Sequence, residues 1–75
     1  MNYKQRIVAD YRIMLGKPII KGTRITVELL LRKLADGYSI IELTEMYPHI
    51  QMEDVLAAIG YAASVIENEE VIKAA

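Results

Sequence analysis

Apolar residues recur with a helical period from Thr26 onward, and this pattern predicts the first of three helices, over residues 27–36. Thr26 suits the N-cap because its hydroxyl can accept a hydrogen bond from a free backbone N–H of the first turn. Glu28 lies in that turn, where the helix dipole favours an acid. Gly37 ends the helix as a C′ glycine. The apolar positions at the i, i+3, i+4, i+7 spacing are Val27, Leu30, Leu31 and Leu34.

Two further helices are predicted, over residues 40–47 and 52–70. Ser39 and Glu42 form an S-x-x-E capping box at the start of the second helix, and Pro48 ends it. Two acidic residues near the start of the third helix favour an N-terminus at that point. The connection between these two helices is therefore a short turn.

The third predicted helix is apolar almost all round, since no residue from Val55 to Ile66 is charged. A surface helix normally carries a single apolar stripe. Two short partner helices offer little surface to cover this one, so we expect part of it to contact a second copy of the chain in a homodimer. The alternative is that all of it forms core within one chain. The stripe predicted for the dimer interface is Ala57, Gly60, Tyr61 and Ser64.

Residues 5–26 carry short apolar and β-branched clusters separated by turn residues, a pattern typical of extended structure. Lys21 and Gly22 stand between the pairs 19–20 and 24–25, and we predict a β-hairpin with a two-residue turn there. An isolated hairpin is marginal in water, so these strands need the helices or another chain beneath them. The chain is therefore predicted to be mainly α, a three-helix helix-turn-helix bundle with an N-terminal β-hairpin.

The 75 residues are expected to form a single domain, 1–75, whose net charge of −1 hides an uneven distribution. Residues 1–33 hold eight lysines and arginines and two acids, for a net charge of +6. Residues 34–75 hold one lysine and eight acids, for −7. The basic half is suited to attract phosphates or an acidic protein pocket. The alternative is that the two halves solvate and partly neutralise each other.

The sequence lacks the features of an enzyme, a cofactor site or a membrane span. His49 is the single histidine, there is no cysteine, and no glycine-rich loop has the pattern of a phosphate site. We therefore expect no catalytic residue, no metal, no cofactor and no small-molecule substrate. No apolar run approaches the roughly 20 residues that a membrane helix needs. The charged N-terminus does not resemble a signal peptide, so a cytoplasmic protein is expected.

Cations that cluster around the predicted hairpin make binding to DNA or to an acidic protein a stronger hypothesis than catalysis. Arg24 has an alternative role, a salt bridge to Asp36 or Glu42. The third helix is a doubtful reader of a DNA groove, because two acids near its start repel phosphate, although Gln51 could pair with adenine. The candidate DNA- or partner-binding residues are Lys17, Lys21, Thr23, Arg24 and Gln51.

Several short motifs, taken in order over about residues 7–63, resemble the small prokaryotic domain-of-unknown-function family 433. The sequence departs from the family pattern at Gln51, where Thr or Ser is usual as the N-cap of the third helix. It also departs at Gly60, where a bulkier apolar residue is common. The matching residues are Gly16-Lys17-Pro18, Ile20, Gly22-Thr23-Arg24-Ile25, Gly37-Tyr38-Ser39, Tyr47-Pro48-His49 and Tyr61-Ala62.

The resemblance implies a homeodomain-like helix-turn-helix fold and an antitoxin role, because genes of this family are commonly found beside genes for PIN-like ribonuclease toxins. It implies no agreed catalytic residue. The leading hypothesis is a dimeric antitoxin-like regulator that binds a PIN-like toxin, with its own operator DNA as a further expected partner. In the toxin complex, an arginine of the hairpin would pair with carboxylates of the acidic pocket. The alternative is a homodimeric protein-interaction module that does not bind DNA.

Overall fold

The computed structural model describes residues 3–68, and these fold into three helices preceded by a small antiparallel sheet. Two short strands, β1 (Ile7–Val8) and β2 (Ile19–Ile20), pair with Ile7 opposite Ile20 and Val8 opposite Ile19. The mainly α three-helix bundle with an N-terminal hairpin is therefore confirmed. The elements are β1 (Ile7–Val8), β2 (Ile19–Ile20), α1 (Val27–Ala35), α2 (Ile40–Met46) and α3 (Met52–Glu67), with short 3₁₀ turns at Tyr3–Gln5 and Met14–Gly16.

The helix ends follow from the side chains that cap them. The Thr26 hydroxyl accepts a hydrogen bond from Leu29 N–H at 3.0 Å and so begins α1. Ser39 and Glu42 form the predicted capping box of α2. The third helix was predicted to continue to residue 70; within the described residues α3 ends at Glu67, and Asn68 forms its C-cap. Residues 69 and 70 lie outside the described part of the chain.

The core lies where all three helices meet β2. Leu30 of α1, Leu43 of α2 and Val55 of α3 are fully buried there. The predicted apolar face of α1 points into this core, with Val27 and Leu30 buried and the other two leucines half-buried. The buried residues of the core cluster are Ile20, Val27, Leu30, Leu43, Ile50, Val55 and Ala58.

The predicted extended conformation of residues 5–26 is wrong in its middle part. Asp10 reverses the chain, because its carboxylate accepts hydrogen bonds from the backbone and the side chain of Arg12. Residues 14–16 then form a 3₁₀ turn in which Met14 and Leu15 have positive φ angles of 51° and 56°. The partner of β2 is consequently β1, eleven residues earlier in the chain, rather than the segment that follows Gly22.

The predicted two-residue hairpin turn at Lys21-Gly22 is also wrong in its length. Ile20 N–H donates to Ile25 O at 2.9 Å, so four residues, 21–24, form the connection. Beyond it the chain makes only one isolated bridge, between Ile19 and Thr26, because α1 begins at Val27. Arg24 therefore belongs to the turn and not to a strand.

Candidate binding site

A turn formed by residues 21–24, called the cationic turn below, presents Lys21 and Arg24 at the surface. Its first half is a type II β-turn, in which Thr23 N–H donates to Ile20 O at 3.0 Å. Gly22 occupies the third position of this turn with φ +83°, a conformation that glycine adopts without steric cost.

Thr23, predicted as a contact residue, uses its hydroxyl to hold the cationic turn together. The hydroxyl donates to Ile20 O at 2.8 Å and accepts from Ile25 N–H at 2.9 Å. Its donor and one of its two acceptor positions are thus used within the turn. The Thr23 hydroxyl therefore stabilises the backbone of the turn from which the side chains of Lys21 and Arg24 project.

Arg24 is exposed and makes no hydrogen bond or ion pair with any residue between 3 and 68. The alternative role considered for it, a salt bridge to Asp36 or Glu42, is not formed. Lys21 is likewise exposed and has no ion-pair partner in the described range. The cationic turn therefore offers two positive charges that the described chain does not neutralise.

Lys17 differs from these two cations because it pairs with its own chain. Its ammonium lies 3.3 Å from Glu28 Oε1, and Arg32 approaches the other oxygen of the same carboxylate at 3.1 Å. Hydrogen bonds from Arg32 and then from Lys17 hold the pKa of Glu28 below its ordinary value. The structure thus separates Lys17 from the cationic turn, with which the sequence had grouped it.

A cleft lies between the cationic turn and the turn that joins α2 to α3. The α2–α3 turn is closed by a hydrogen bond from Ile50 N–H to Tyr47 O at 2.8 Å. The cavity between the two turns measures about 370 Å³, and none of the described residues that line it is acidic. Arg24 and His49 line it together with the hydroxyl-bearing Thr23 and Tyr47, and the other lining residues are apolar. The lining residues are Gly22, Thr23, Arg24, Ile25, Met46, Tyr47, Pro48, His49 and Ile50.

The sequence did not predict this cleft, because His49 is the single histidine and no motif beside it indicates a site. The two turns that meet here are also two of the motifs on which the family resemblance rests, and they lie more than twenty residues apart in the chain. The presence of both motifs in the family pattern was the one signal in the sequence that could have suggested a shared site. Within the described residues, no group of three or more acidic or histidine side chains could hold a metal ion.

Gln51, the remaining predicted contact residue, forms the N-cap of α3 and does not line the cleft. Its side chain is exposed, and its backbone N–H donates to Asp54 Oδ2 at 2.8 Å. The other oxygen of Asp54 accepts from Arg6 at 2.9 Å, so this carboxylate is turned inward and paired. Of the two acids that were expected to repel phosphate, only Glu53 is exposed.

Within the stripe predicted as a dimer interface, Ala57 lies inside the fold of one chain, so its assignment to a second copy is wrong, whereas Gly60, Tyr61 and Ser64 are half-buried. Ala57 is fully buried. The Tyr61 ring packs edge-on against Tyr3 with centroids 5.7 Å apart, and Ser64 Oγ lies 2.9 Å from the Tyr3 hydroxyl. Gly60 also faces the Tyr3 ring. Helical periodicity identified the apolar stripe but not the N-terminal segment that contacts part of it.

The fold and the cleft define a class, a small three-helix domain of the helix-turn-helix type with an exposed cationic turn. None of the helices that the structure describes is both long enough and apolar enough to pass through a membrane.

The chain belongs to the family described as "Protein of unknown function (DUF433)", whose model matches residues 7–62. The family resemblance drawn from the motifs is thereby confirmed. The match includes both turns of the cleft and most of α3.

A curated relative from Archaeoglobus fulgidus is called "Uncharacterized protein". It is 54% identical over 28 residues, which are 37% of this chain and 78% of the relative. No solved structure matches the chain significantly.

Proposed function

We propose that this chain is an antitoxin-like regulator that binds a PIN-like ribonuclease through the cationic turn and the adjoining cleft. The observation that carries the proposal is the exposed Arg24 guanidinium, which has no partner within residues 3–68 and stands beside an apolar cavity without acidic walls. A planar guanidinium can pair with a carboxylate through two parallel hydrogen bonds. An acidic, metal-binding active site is therefore a suitable target for Arg24.

The geometry of the turn favours this function because it fixes the backbone that carries Arg24 before any partner arrives. Hydrogen bonds of Thr23 and the type II turn hold the backbone, so little loop ordering is required on binding. The apolar floor of the cleft, next to Arg24, suits a side chain that flanks the acidic group of the partner. Lys21 adds charge that would steer an acidic surface toward the turn.

The test measures RNA cleavage by a PIN-like ribonuclease encoded beside this chain's gene, with and without the chain. The wild-type chain is expected to inhibit cleavage. Arg24→Lys keeps the charge but loses the two-pronged geometry, so its inhibition constant should rise at least ~30-fold. Arg12→Lys is the matched control, because Arg12 is exposed and lies outside the cleft. Equal inhibition by the wild type and Arg24→Lys would contradict the proposal.

Operator DNA is a second candidate partner, and one observation favours it. Because Asp54 is turned inward against Arg6, the exposed start of α3 carries less negative charge than the sequence suggests. Phosphate binding requires charge and not two-pronged geometry, so Arg24→Lys should bind the upstream duplex nearly as well as the wild type. Arg24→Ala should lower the slope of log affinity against log salt by about 1.

These outcomes separate the functions. Fluorescence anisotropy with the upstream duplex and an unrelated duplex, over a range of salt, reports DNA binding. Absence of binding at low salt would remove the DNA role and leave toxin inhibition intact. Loss of both would favour the alternative, a protein-interaction module that does not bind DNA.

A further inference from the structure

An apolar groove runs between α1 and the C-terminal half of α3, on a surface that shares no residue with the cleft. Its cavity measures about 470 Å³. Aliphatic side chains and small alanines form most of the surface, and charged residues of α1 stand at its rim. The lining residues are Pro18, Val27, Glu28, Leu31, Arg32, Ala35, Tyr61, Ala62, Val65 and Ile66.

We infer that this groove is the site at which a second copy of the chain docks, in a two-fold symmetric dimer. The same surface carries a concave apolar groove and exposed aliphatic side chains that could insert into such a groove. Ile66 is 68% exposed and Val65 is 44% exposed, although both lie in a helix and border the groove. A two-fold interface brings the same patch together with itself, so Ile66 and Val65 of each copy enter the groove of the other.

Small side chains make the required close approach feasible. Ala35 ends α1, and Ala62 lies one turn before Ile66 on α3. At these two positions the groove is therefore lined by a methyl group and not by a large side chain. The distance between packed helices depends on the size of the side chains at their contact. The second α3 can therefore lie close to the groove with its aliphatic residues inserted.

Charge complementarity identifies the occupant as another copy. The last turn of α3 carries Glu67 and no basic residue, at the end where the helix dipole is already negative. No ion pair joins Glu67 to another residue in the range 3–68. Across the groove, the rim holds Arg32 and Lys17 around the single carboxylate of Glu28, a net positive edge. In a two-fold arrangement, Glu67 of each copy meets Arg32 of the other.

The first test compares the mass in solution of the wild type with that of Ile66→Glu, by sedimentation equilibrium at micromolar concentrations. The wild type should be a dimer, and Ile66→Glu should weaken the dimer at least about tenfold, since a carboxylate would enter an apolar groove. Ile41→Glu is the matched control, because Ile41 is 61% exposed on α2 and does not border the groove. A monomeric wild type, or equal effects of the two variants, would overturn the inference.

The second test exchanges the charges across the interface. Glu67→Arg and Arg32→Glu should each weaken the dimer several-fold, and the double variant should recover most of the wild-type affinity. Circular dichroism checks that every variant is folded, and Val65→Glu replaces any variant that is not. Additive losses in the double variant would overturn the two-fold arrangement. Toxin inhibition and DNA binding are measured separately, so failure of the dimer is distinguishable from failure of the proposed function.

Discussion

The two halves of α3 are both rich in apolar residues but have very different surroundings. From Asp54 to Ala58, four of the five residues are buried, and the carboxylate of Asp54 ties this half to Arg6. Beyond Gly60 no residue of the helix is fully buried, although none is charged until Glu67. Apolar composition alone therefore does not identify the residues of the core. The first half completes the fold of one chain, and the second half retains apolar surface.

A matched pair of substitutions tests this difference with the largest expected effect. Ala58→Glu places a carboxylate among the apolar side chains of the core cluster. The cost is comparable to the whole free energy of unfolding of a domain of this size, about 4–11 kcal/mol, so the variant should be unfolded. Ala63→Glu changes an exposed alanine of the same helix and should alter the free energy of unfolding by about 0.5 kcal/mol or less.

Circular dichroism and urea titration at low protein concentration measure both variants. The low concentration keeps self-association out of the comparison. Similar urea midpoints for the two variants would mean that the first half of α3 is not the core of the isolated chain.

Removing the contact between Asp54 and the N-terminal segment should lower the free energy of unfolding by an intermediate amount. Asp54→Ala removes the hydrogen bond to Gln51 N–H and the ion pair with Arg6, whose side chain is partly exposed. Loss of the cap and of a partly screened pair should lower the free energy of unfolding by about 2 kcal/mol. Glu53→Ala is the control, since Glu53 is exposed and makes no ion pair within residues 3–68, and should cost about 0.5 kcal/mol.

Urea titration at neutral pH distinguishes these two variants. If Glu53→Ala costs as much as Asp54→Ala, the stability of the first half comes from the general effect of acids on the helix dipole. The specific contact with Arg6 would then contribute little.

Local signals in the sequence were sufficient for the helices and their caps. Thr26, the Ser39–Glu42 box and Gly37 act on backbone groups within a few residues, so their effect can be inferred without knowing the fold. The bundle itself followed from the apolar period of α1 and from the breaks between the helices.

Contacts between distant residues could not be predicted in the same way. Arg6 and Asp54 are 48 residues apart, and Tyr3 and Ser64 are 61 apart, yet these pairs decide which face of α3 is covered. Among the cations near the hairpin, composition could not tell that Lys17 pairs with Glu28 while Arg24 has no partner in the described chain. The cleft was likewise hidden, because it exists only when two separate turns meet.

Gly60 stands where the two halves of α3 join, and its replacement gives the smallest and most discriminating effect. A Cβ at this position would lie 3.8 Å from Cδ2 of Tyr3, an ordinary van der Waals contact. Gly60→Ala should therefore raise the free energy of unfolding by about 0.5–1 kcal/mol, because alanine loses less backbone entropy in a helix. Gly37→Ala is the control and should lower it by about 1 kcal/mol, since Gly37 has φ +101°. A destabilised Gly60→Ala, measured by urea titration, would mean that Tyr3 packs on α3 more closely than a methyl group allows.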